Sequence, residues 1–251
     1  MRPTVRLGML TPSSNTVLEP MTYNIISCLP NVTAHFSRFR VVGISLEQEH
    51  LGQFDDDIIL TAAERLAEAH VDIIAWNGTS SGWLGFERDE DLCRRITQAT
   101  GIPATTSMLA LNEILAATKV KNYGLVTPYI DGVQRRILDA YEHLGFHCAA
   151  EAHLGLQDNF SFAAVDDETI QNRVAEVAAA KPDAIVIICT NLRAAHLVAP
   201  LERQYGIPVY DTIATAVWKS LQIAGIPTTS ITGWGKLFNE LPHAFALASH
   251  P

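Results

Sequence analysis

The sequence lacks the motifs that mark common metal and nucleotide proteins. It has no CxxC pair, no HExxH, and neither a GxGxxG nor a GxxxxGKS/T glycine pattern. These absences remove the usual signals for zinc binding and for phosphate binding by a glycine-rich loop. The four cysteines are dispersed, which is typical of free thiols in a cytoplasmic protein. We therefore predict neither a metal site nor a nucleotide site.

Charged residues and long apolar runs are also scarce. Asp, Glu, Lys and Arg make up 18% of the chain, and the net charge is −9. A nucleic acid or an anionic membrane requires a basic face, so we expect neither as a partner. No apolar run approaches the ~18–20 residues of a membrane span, and no signal peptide is expected. The apolar fraction of 48% is sufficient for a packed core.

The chain contains two copies of one pattern. Residues 70–80 read HVDIIAWNGTS, and residues 181–191 read KPDAIVIICTN. Ungapped alignment pairs Asp72 with Asp183, and it places Gly78 opposite Cys189. Two further pairs follow in the same order: LGMLTP at 7–12 with YGLVTP at 123–128, and TGIPATTS at 100–107 with YGIPVYDT at 205–212. The repeat predicts two similar lobes with a reactive thiol on one side only.

Short apolar runs alternate with helix-length amphipathic segments along the chain. The predicted strands are Val5–Leu10, Ala34–Val41, Ile73–Trp76, Tyr123–Val126, Ile185–Ile188 and Val209–Tyr210. The predicted helices are Ile58–Ala69, Glu90–Ala99, Met108–Ala117, Asp131–Leu144, Thr169–Ala180, Leu192–Tyr205 and Ile213–Ala224. This alternation predicts an α/β fold of two pseudo-symmetric lobes, each a parallel sheet flanked by helices, with the active site between them. We assign residues 1–120 and 121–251 to the lobes, with the last helix crossing back.

In parallel α/β sheets, ligands bind beyond the carboxyl ends of the strands. This rule selects four loops that are rich in hydroxyl, amide or thiol groups. The repeat arranges them as two matched pairs: Thr11–Asn15 with Thr127–Tyr129, and Gly78–Ser81 with Cys189–Asn191. We expect the four loops to surround a small-molecule site.

Cys189 is the cysteine that this arrangement singles out. It precedes the predicted helix Leu192–Tyr205, so the positive end of the helix dipole is expected to lower the pKa of its thiol. Such a thiol serves as a proton donor, a proton acceptor or a nucleophile. The alternative is a buried cysteine that only fills space. The other cysteines are interpreted as structural: Cys28, Cys93 and Cys148.

The turn Gly78–Gly82 offers backbone N–H groups and hydroxyls to an oxyanion or a carboxylate. Helix capping by Thr79 or Ser80 is an alternative role for the same residues, and the two roles are compatible. Asn15 and Tyr129 are candidate amide and phenolic donors, although capping or packing accounts for them equally well. The aromatic side chains available for an aryl-accepting pocket are Trp76, Trp83, Phe160 and Tyr129.

Five motifs together carry a family resemblance. They are TPSSNTVLEP at 11–20, GTSSG at 78–82, TPY at 127–129, DNF at 158–160 and ICTNLR at 188–193. In these motifs the chain resembles the aspartate/glutamate racemase superfamily, within it the branch of maleate cis-trans isomerases and arylmalonate decarboxylases. The resemblance implies two α/β lobes, no cofactor, a homo-oligomer, and cysteines at two equivalent strand ends. Here the first of these positions is Gly78.

A glycine opposite a single cysteine resembles the arylmalonate decarboxylase pattern. The resemblance implies that a malonate loses CO2 and that Cys189 protonates the resulting enediolate. The N-terminal loop is more similar to that of maleate isomerases, in which the equivalents of Asn15 and Asn159 hold carboxylates. We thus predict a cofactor-independent decarboxylase of a small (aryl)malonate-type dicarboxylate. The alternatives are a maleate-type cis-trans isomerase or a racemase-like isomerase that uses Cys189, and a non-catalytic protein that binds small acids.

The predicted site follows from the same match. The catalytic residues are Cys189, Gly78, Thr79 and Tyr129. The substrate-binding residues are Thr11, Ser14, Asn15, Ser80, Ser81, Thr127, Asn159, Thr190 and Asn191.

Overall fold

Two four-stranded parallel sheets form the centre of the protein, in a computed structural model that describes residues 4–47 and 52–241. The first sheet contains β1 (Val5–Pro12), β2 (Val32–Phe39), β3 (Ile73–Trp76) and β4 (Ala104–Thr106) in the order β2-β1-β3-β4. The second contains β5 (Asn122–Thr127), β6 (His147–His153), β7 (Ala184–Ile187) and β8 (Val209–Asp211) in the order β6-β5-β7-β8. The identical strand order confirms the predicted two-lobed α/β fold.

Helices flank both sheets. They are α1 (Leu18–Ile26), α2 (Asp56–Glu68), α3 (Ser81–Leu84), α4 (Glu87–Thr100), α5 (Ser107–Ala117), α6 (Asp131–His143), α7 (Asn159–Phe162), α8 (Asp167–Ala178), α9 (Val198–Tyr205), α10 (Thr212–Ile223) and α11 (Leu237–Glu240). Short 3-10 turns lie at Gly52–Phe54 and Ala195–Leu197. In the described part of the chain, none of the helices has the length and apolarity needed to cross a membrane.

The aspartate shared by the two repeats has the same structural role in both lobes. Oδ2 of Asp72 accepts a 2.7 Å hydrogen bond from the backbone N–H of Arg6. Oδ2 of Asp183 accepts bonds of 3.0 and 2.8 Å from the N–H groups of Lys121 and Asn122. Each carboxylate therefore ties the start of a central strand to the turn that precedes its neighbour. The strands β3 and β7 that follow are entirely buried, as expected for a parallel sheet covered on both faces.

Some elements have no clear sequence signal. The strands β4 and β6 were not predicted, because β4 has only three residues and β6 is an edge strand with mostly exposed or half-exposed side chains. Helix α1 was also not predicted. It carries Pro20 in its first turn, where a missing backbone N–H does no harm.

The predicted helix Leu192–Tyr205 is wrong in its first half. The chain turns after Thr190 and forms the 3-10 turn at Ala195–Leu197, and α9 begins only at Val198. The side chain of Asn191 holds this turn: its Nδ2 donates to the carbonyl of Asn159 at 2.5 Å, and its Oδ1 accepts from the N–H of Thr16 at 3.0 Å. Both partners are distant in sequence, so local periodicity does not reveal them.

Helix α10 belongs to the second half of the chain but packs against α5, α1 and β3 of the first half. The hydroxyl of Thr215 donates to the carbonyl of Ser107 at 2.9 Å, and Nζ of Lys219 donates to Oε1 of Glu113 at 2.7 Å. These contacts bring the carboxyl ends of the two sheets towards a common centre.

Candidate active site

A small cavity lies where the two sheets face each other. Its lining comes from both lobes: Pro12, Val41, Ile44, Phe54, Trp76, Gly78, Thr79, Ser80, Trp83, Tyr129, Asn159, Cys189 and Thr190. About 20 Å³ is open to the centre of a water molecule, which is room for roughly one water. The cavity is therefore too small for a diacid as it stands, and binding one requires it to enlarge.

The predicted site residues fall into two groups. Those that line the cavity are Gly78, Thr79, Ser80, Tyr129, Asn159, Cys189 and Thr190. The others, which support the lining or lie next to it, are Thr11, Ser14, Asn15, Ser81, Thr127 and Asn191. Ser80 is the N-cap residue of α3, yet its side chain makes no capping hydrogen bond in the described structure.

Asn15 joins the two lobes next to the cavity. Its Nδ2 donates to the carbonyl and the hydroxyl oxygen of Thr190, at 3.0 and 3.2 Å. Its Oδ1 accepts 2.9 Å bonds from the N–H groups of Val17 and Leu18, and so caps α1. The hydroxyl of Thr190 donates in turn to the carbonyl of Asn77 at 2.8 Å. Both polar atoms of the Asn15 amide are thus hydrogen-bonded within the protein, and its Nδ2 contacts Thr190 of the cavity lining.

Asn159 is held from the opposite side. Its Nδ2 donates to the hydroxyl oxygen of Ser14 at 2.7 Å, and the Ser14 hydroxyl donates to the carbonyl of Val41 at 2.5 Å. The backbone N–H of Asn159 donates to the carbonyl of Val42 at 3.0 Å. These bonds fasten the segment after β2, which carries Val41 and Ile44, to the second lobe.

Three predicted binders make hydrogen bonds outside the lining. The hydroxyl of Thr11 donates to the carbonyl of Met9 at 3.3 Å. The Thr127 hydroxyl donates to Oε1 of Gln134 at 2.6 Å. The Ser81 hydroxyl donates to Oδ2 of Asp89 at 2.8 Å, and burial raises the pKa of that carboxyl to about 6. These hydroxyls stabilise the strand ends that carry the lining residues.

Thr79 and Tyr129 form a hydroxyl pair across the lobes. Their oxygen atoms lie 2.7 Å apart, and both side chains are buried. Burial, together with the nearby Cys189, raises the pKa of the Tyr129 hydroxyl well above its ordinary value. Tyr129 therefore stays protonated at neutral pH and remains a hydrogen-bond donor.

Cys189 lies on the second-lobe side of the cavity and is 2% exposed. Its sulfur accepts from the N–H of Asn191 at 3.4 Å, and its own N–H donates to the hydroxyl oxygen of Thr212 at 3.1 Å. Burial raises the pKa of the thiol to about 12, although a hydrogen bond from Tyr129 partly offsets the shift. The predicted lowering by a helix dipole is wrong, because α9 begins only at Val198.

Gly78 occupies the matched position in the first lobe, where Ser107 donates a hydrogen bond to its carbonyl. It offers no side chain, and the indole of Trp76 lies against it. A Cβ atom at this position would lie 1.9 Å from Cζ2 of Trp76. The described cavity lining therefore contains one thiol, that of Cys189.

Aromatic and aliphatic side chains complete the walls. Trp83 packs edge-on against Tyr129, with ring centroids 5.3 Å apart, and lies 6.1 Å from the ring of Phe54. The expectation that Phe160 contributes to the pocket is wrong, because Phe160 is 61% exposed. Sequence reasoning also missed Val41, Ile44 and Phe54, which lie in the connection after β2 and carry no motif. Among residues 4–47 and 52–241, no group of three or more His, Cys, Asp or Glu side chains is arranged to hold a metal ion.

Comparisons with known proteins agree with this geometry. An arylmalonate decarboxylase of Bordetella bronchiseptica is 28% identical over 185 residues, covering 72% of this chain and 77% of its own length. A maleate isomerase of Geobacillus stearothermophilus is 23% identical, covering 89% and 93%.

Solved structures of both kinds share the fold. An alanine variant of a Pseudomonas putida maleate isomerase, with maleate, has a TM-score of 0.88 at 25% identity and covers 96% of this chain and 99% of its own. A doubly substituted arylmalonate decarboxylase in its liganded form has a TM-score of 0.84 at 24% identity, covering 94% and 100%.

The match to a family model is more specific than either fold comparison. The model described as arylmalonate decarboxylase matches residues 19–238, a span that includes Cys189, Gly78 and the other residues of the cavity except Pro12. This chain belongs to the arylmalonate decarboxylase family, whose relatives among the enzymes include maleate isomerases.

Proposed function

We propose that the protein decarboxylates a malonate-type diacid and that Cys189 protonates the product carbon. The observation that carries this proposal is the single thiol of the described cavity, with Gly78 at the matched position of the other lobe. A reaction that needs an acid or base on each face of the substrate would lack one of them. A decarboxylation needs one proton, delivered from one face.

The proposed step is balanced without an oxidant or a reductant. The bond between the α carbon and one carboxylate breaks, and its electron pair moves into the retained carboxylate to give an enediolate. CO2 leaves. The Cys189 Sγ–H proton then passes to the α carbon, and the thiolate recovers a proton from water.

The polar residues of the cavity suit the enediolate. The hydroxyl pair of Thr79 and Tyr129, in which one hydroxyl donates to the other and the second keeps its proton free, and the loop at Ser80 provide donors for the charge that develops on the retained carboxylate. The aliphatic residues Val41 and Ile44 provide a surface on which neutral CO2 is favoured over the anion. We assign the retained carboxylate to the hydroxyl pair and the departing one to the aliphatic residues.

The raised pKa of Cys189 favours proton donation over nucleophilic attack. A nucleophilic cysteine acts as the thiolate and is normally found where its pKa is lowered. Here burial raises the thiol pKa to about 12, so the neutral thiol is the resting form. The carbon of an enediolate is strongly basic and can take the proton of such a thiol.

Cis-trans isomerisation of a maleate-type diacid is the second candidate. It is supported by the likeness to the Pseudomonas putida maleate isomerase, with its TM-score of 0.88. In this reaction the Cys189 sulfur would add to the double bond, allow rotation, and leave again. The mass of the substrate would not change.

A proton NMR time course in D2O separates the two functions. The substrates are methylmalonate, phenylmalonate and maleate, each with the wild type and with Cys189→Ala. We expect a malonate to disappear and one deuterium to enter the α position of the monoacid, with turnover retained after dialysis against EDTA. Conversion of maleate to fumarate, with no malonate consumed, would instead establish the isomerase.

A further inference from the structure

Trp76 is the last residue of β3 and lines the cavity next to Gly78. Its side chain is 1% exposed, and its ring packs against Phe39 with the centroids 5.0 Å apart. In the sheet it lies between Leu10 of β1 and Thr106 of β4. Neighbours on both sides therefore fix its backbone, and Phe39 supports its ring.

The indole fills the space in which a side chain at position 78 would stand. A Cβ atom built on Gly78 would lie 1.9 Å from Cζ2, 2.3 Å from Cε2 and 2.6 Å from Cη2 of Trp76. Distances below 3.0 Å are not tolerated, and these three involve the rigid body of the ring. A substituent on position 78 and the present position of Trp76 therefore exclude each other.

The cavity must enlarge before any diacid binds, and its lining residues differ in where they lie in the fold. Ile44 and Phe54 lie outside the two sheets, between β2 and α2. Trp76 belongs to the centre of a sheet. Because its strand neighbours fix the backbone of Trp76 and Phe39 supports its ring, the side of Gly78 stays filled.

We infer that Trp76 is a specificity-determining residue that restricts the substrate to malonates with small alkyl substituents and disfavours aryl ones. This inference rests on the proposed decarboxylation. The indole of Trp76 occupies the space beside Gly78 that a large substituent on the α carbon of the malonate would need. The same ring keeps position 78 free of a side chain, and hence of a second thiol.

The first test measures thermal unfolding and needs no substrate. Overpacking by one methyl group is expected to lower the Tm of Gly78→Ala by about 3–10 °C in the wild-type background. In a Trp76→Leu background the same substitution should lower Tm by less than half as much. Trp218→Leu is the matched control, because Trp218 is an equally buried indole in α10 that is not part of the cavity lining. There the effect of Gly78→Ala should be unchanged.

The second test measures kcat/KM for methylmalonate, ethylmalonate and phenylmalonate. We expect the wild type to prefer methylmalonate, and Trp76→Leu to raise the ratio of phenylmalonate to methylmalonate at least about tenfold. Trp76→Phe provides a milder enlargement that keeps an aromatic contact with Phe39, and it should shift the ratio in the same direction. Trp218→Leu should leave the ratio as it is.

The two tests can fail separately. If no malonate is decarboxylated by the wild type, the proposed function is wrong, whereas the unfolding experiment still reports whether Trp76 blocks position 78. If Gly78→Ala lowers Tm equally in the wild-type and Trp76→Leu backgrounds, or if the substrate ratio does not move in Trp76→Leu and Trp76→Phe, the inference about Trp76 is overturned.

Discussion

The hydroxyl of Ser107 donates a 2.7 Å hydrogen bond to the carbonyl of Gly78. Its counterpart in the repeat, Thr212, accepts a 3.1 Å bond from the N–H of Cys189 through its own hydroxyl. Ser107 and Thr212 are the first residues of α5 and α10. Each of the two facing loop positions is thus tied to the helix that follows the neighbouring strand.

This relationship makes Thr212 a positioning residue for the thiol. Thr212→Val keeps the shape but leaves the buried N–H of Cys189 unpaired, which costs about 1–3 kcal/mol of unfolding free energy. We also expect kcat to fall, because the backbone that carries the sulfur is no longer fixed. Thr212→Ser retains the hydroxyl and should restore both quantities. If Thr212→Val turns over substrate like the wild type, the bond does not position the thiol.

Cys189→Ala removes the proposed proton donor. General acid catalysis contributes about 10²–10⁴-fold, so kcat for malonate decarboxylation should fall within that range. Binding of the diacid, measured by calorimetry, should persist because the carboxylate donors remain. Cys28→Ala is the control, since Cys28 is exposed and lies outside the cavity lining. Equal turnover by Cys189→Ala and Cys28→Ala would contradict the mechanism.

The hydroxyl pair of Thr79 and Tyr129 should act as one unit. Tyr129→Phe and Thr79→Val each break the hydroxyl pair, which has one proton free for the enediolate, and each should lower kcat by about 10²-fold or more. The double variant should be little worse than either single one, because each hydroxyl orients the other at 2.7 Å. The measurement is a double-mutant cycle on kcat. Fully additive losses would mean that the two hydroxyls act independently.

The pH dependence of kcat reports the protonation of the thiol. Burial raises the pKa of Cys189 to about 12, so the donor remains protonated throughout the range from pH 7 to pH 10. We therefore expect no decline of kcat that titrates near the ordinary thiol pKa of about 8.5. The profile is best recorded in parallel for Asp211→Asn, because the negative charge of the Asp211 carboxylate contributes to the raised pKa of the Cys189 thiol. A decline centred near pH 8.5 in both proteins would show an unshifted thiol.

Asp211 should make the protein less stable as the pH rises. Its Oδ1 caps α10 through Ile213 and Ala214, while its Oδ2 has no hydrogen-bond partner in the described structure. Burial raises its pKa from 3.8 to about 7. The folded state thus holds the proton more tightly, and the stabilisation present below about pH 4 is lost as the pH rises through about 7.

Asp211→Asn removes this charge and keeps the capping oxygen. Between pH 5 and pH 8 its Tm should rise relative to the wild type by about 5 °C. Asp183→Asn is the control of opposite sign, because backbone hydrogen bonds from Asn122 and Lys121 lower the pKa of that carboxyl. Its stabilisation is present above the unfolded pKa and is lost at acidic pH. Parallel Tm curves for the wild type and Asp211→Asn would refute the prediction.

The repeat carried most of the fold prediction. Equivalent residues make equivalent hydrogen bonds in the two lobes, as Asp72 and Asp183 show. The alignment of the two repeats therefore predicts the central strands and the loops at their ends. The cavity residues Gly78 and Cys189 followed from the same alignment. The alignment did not predict that the chain turns after Thr190 instead of entering a helix. That turn depends on hydrogen bonds of the Asn191 side chain with Asn159 and Thr16, which are distant in sequence.

The aliphatic part of the cavity lining could not be predicted from the sequence, whereas three aromatic residues of the lining could: Trp76, Trp83 and Tyr129. Val41 and Ile44 reach the cavity because Ser14 and Asn159 fasten their segment to the second lobe. The sequence makes Trp76 a candidate for an aryl-accepting pocket, yet its ring fills the space beside Gly78. Such contacts depend on how the lobes meet. The lobe boundaries, the homo-oligomer and the cellular location stay predictions.

The bond between Asn15 and Thr190 joins residues that are 175 positions apart. Contacts of such separation form late, because a long loop must close before they can stabilise the chain. The cavity is therefore incomplete until the chain has been synthesised past Thr190 and the second lobe has met the first, because residues of both lobes line it.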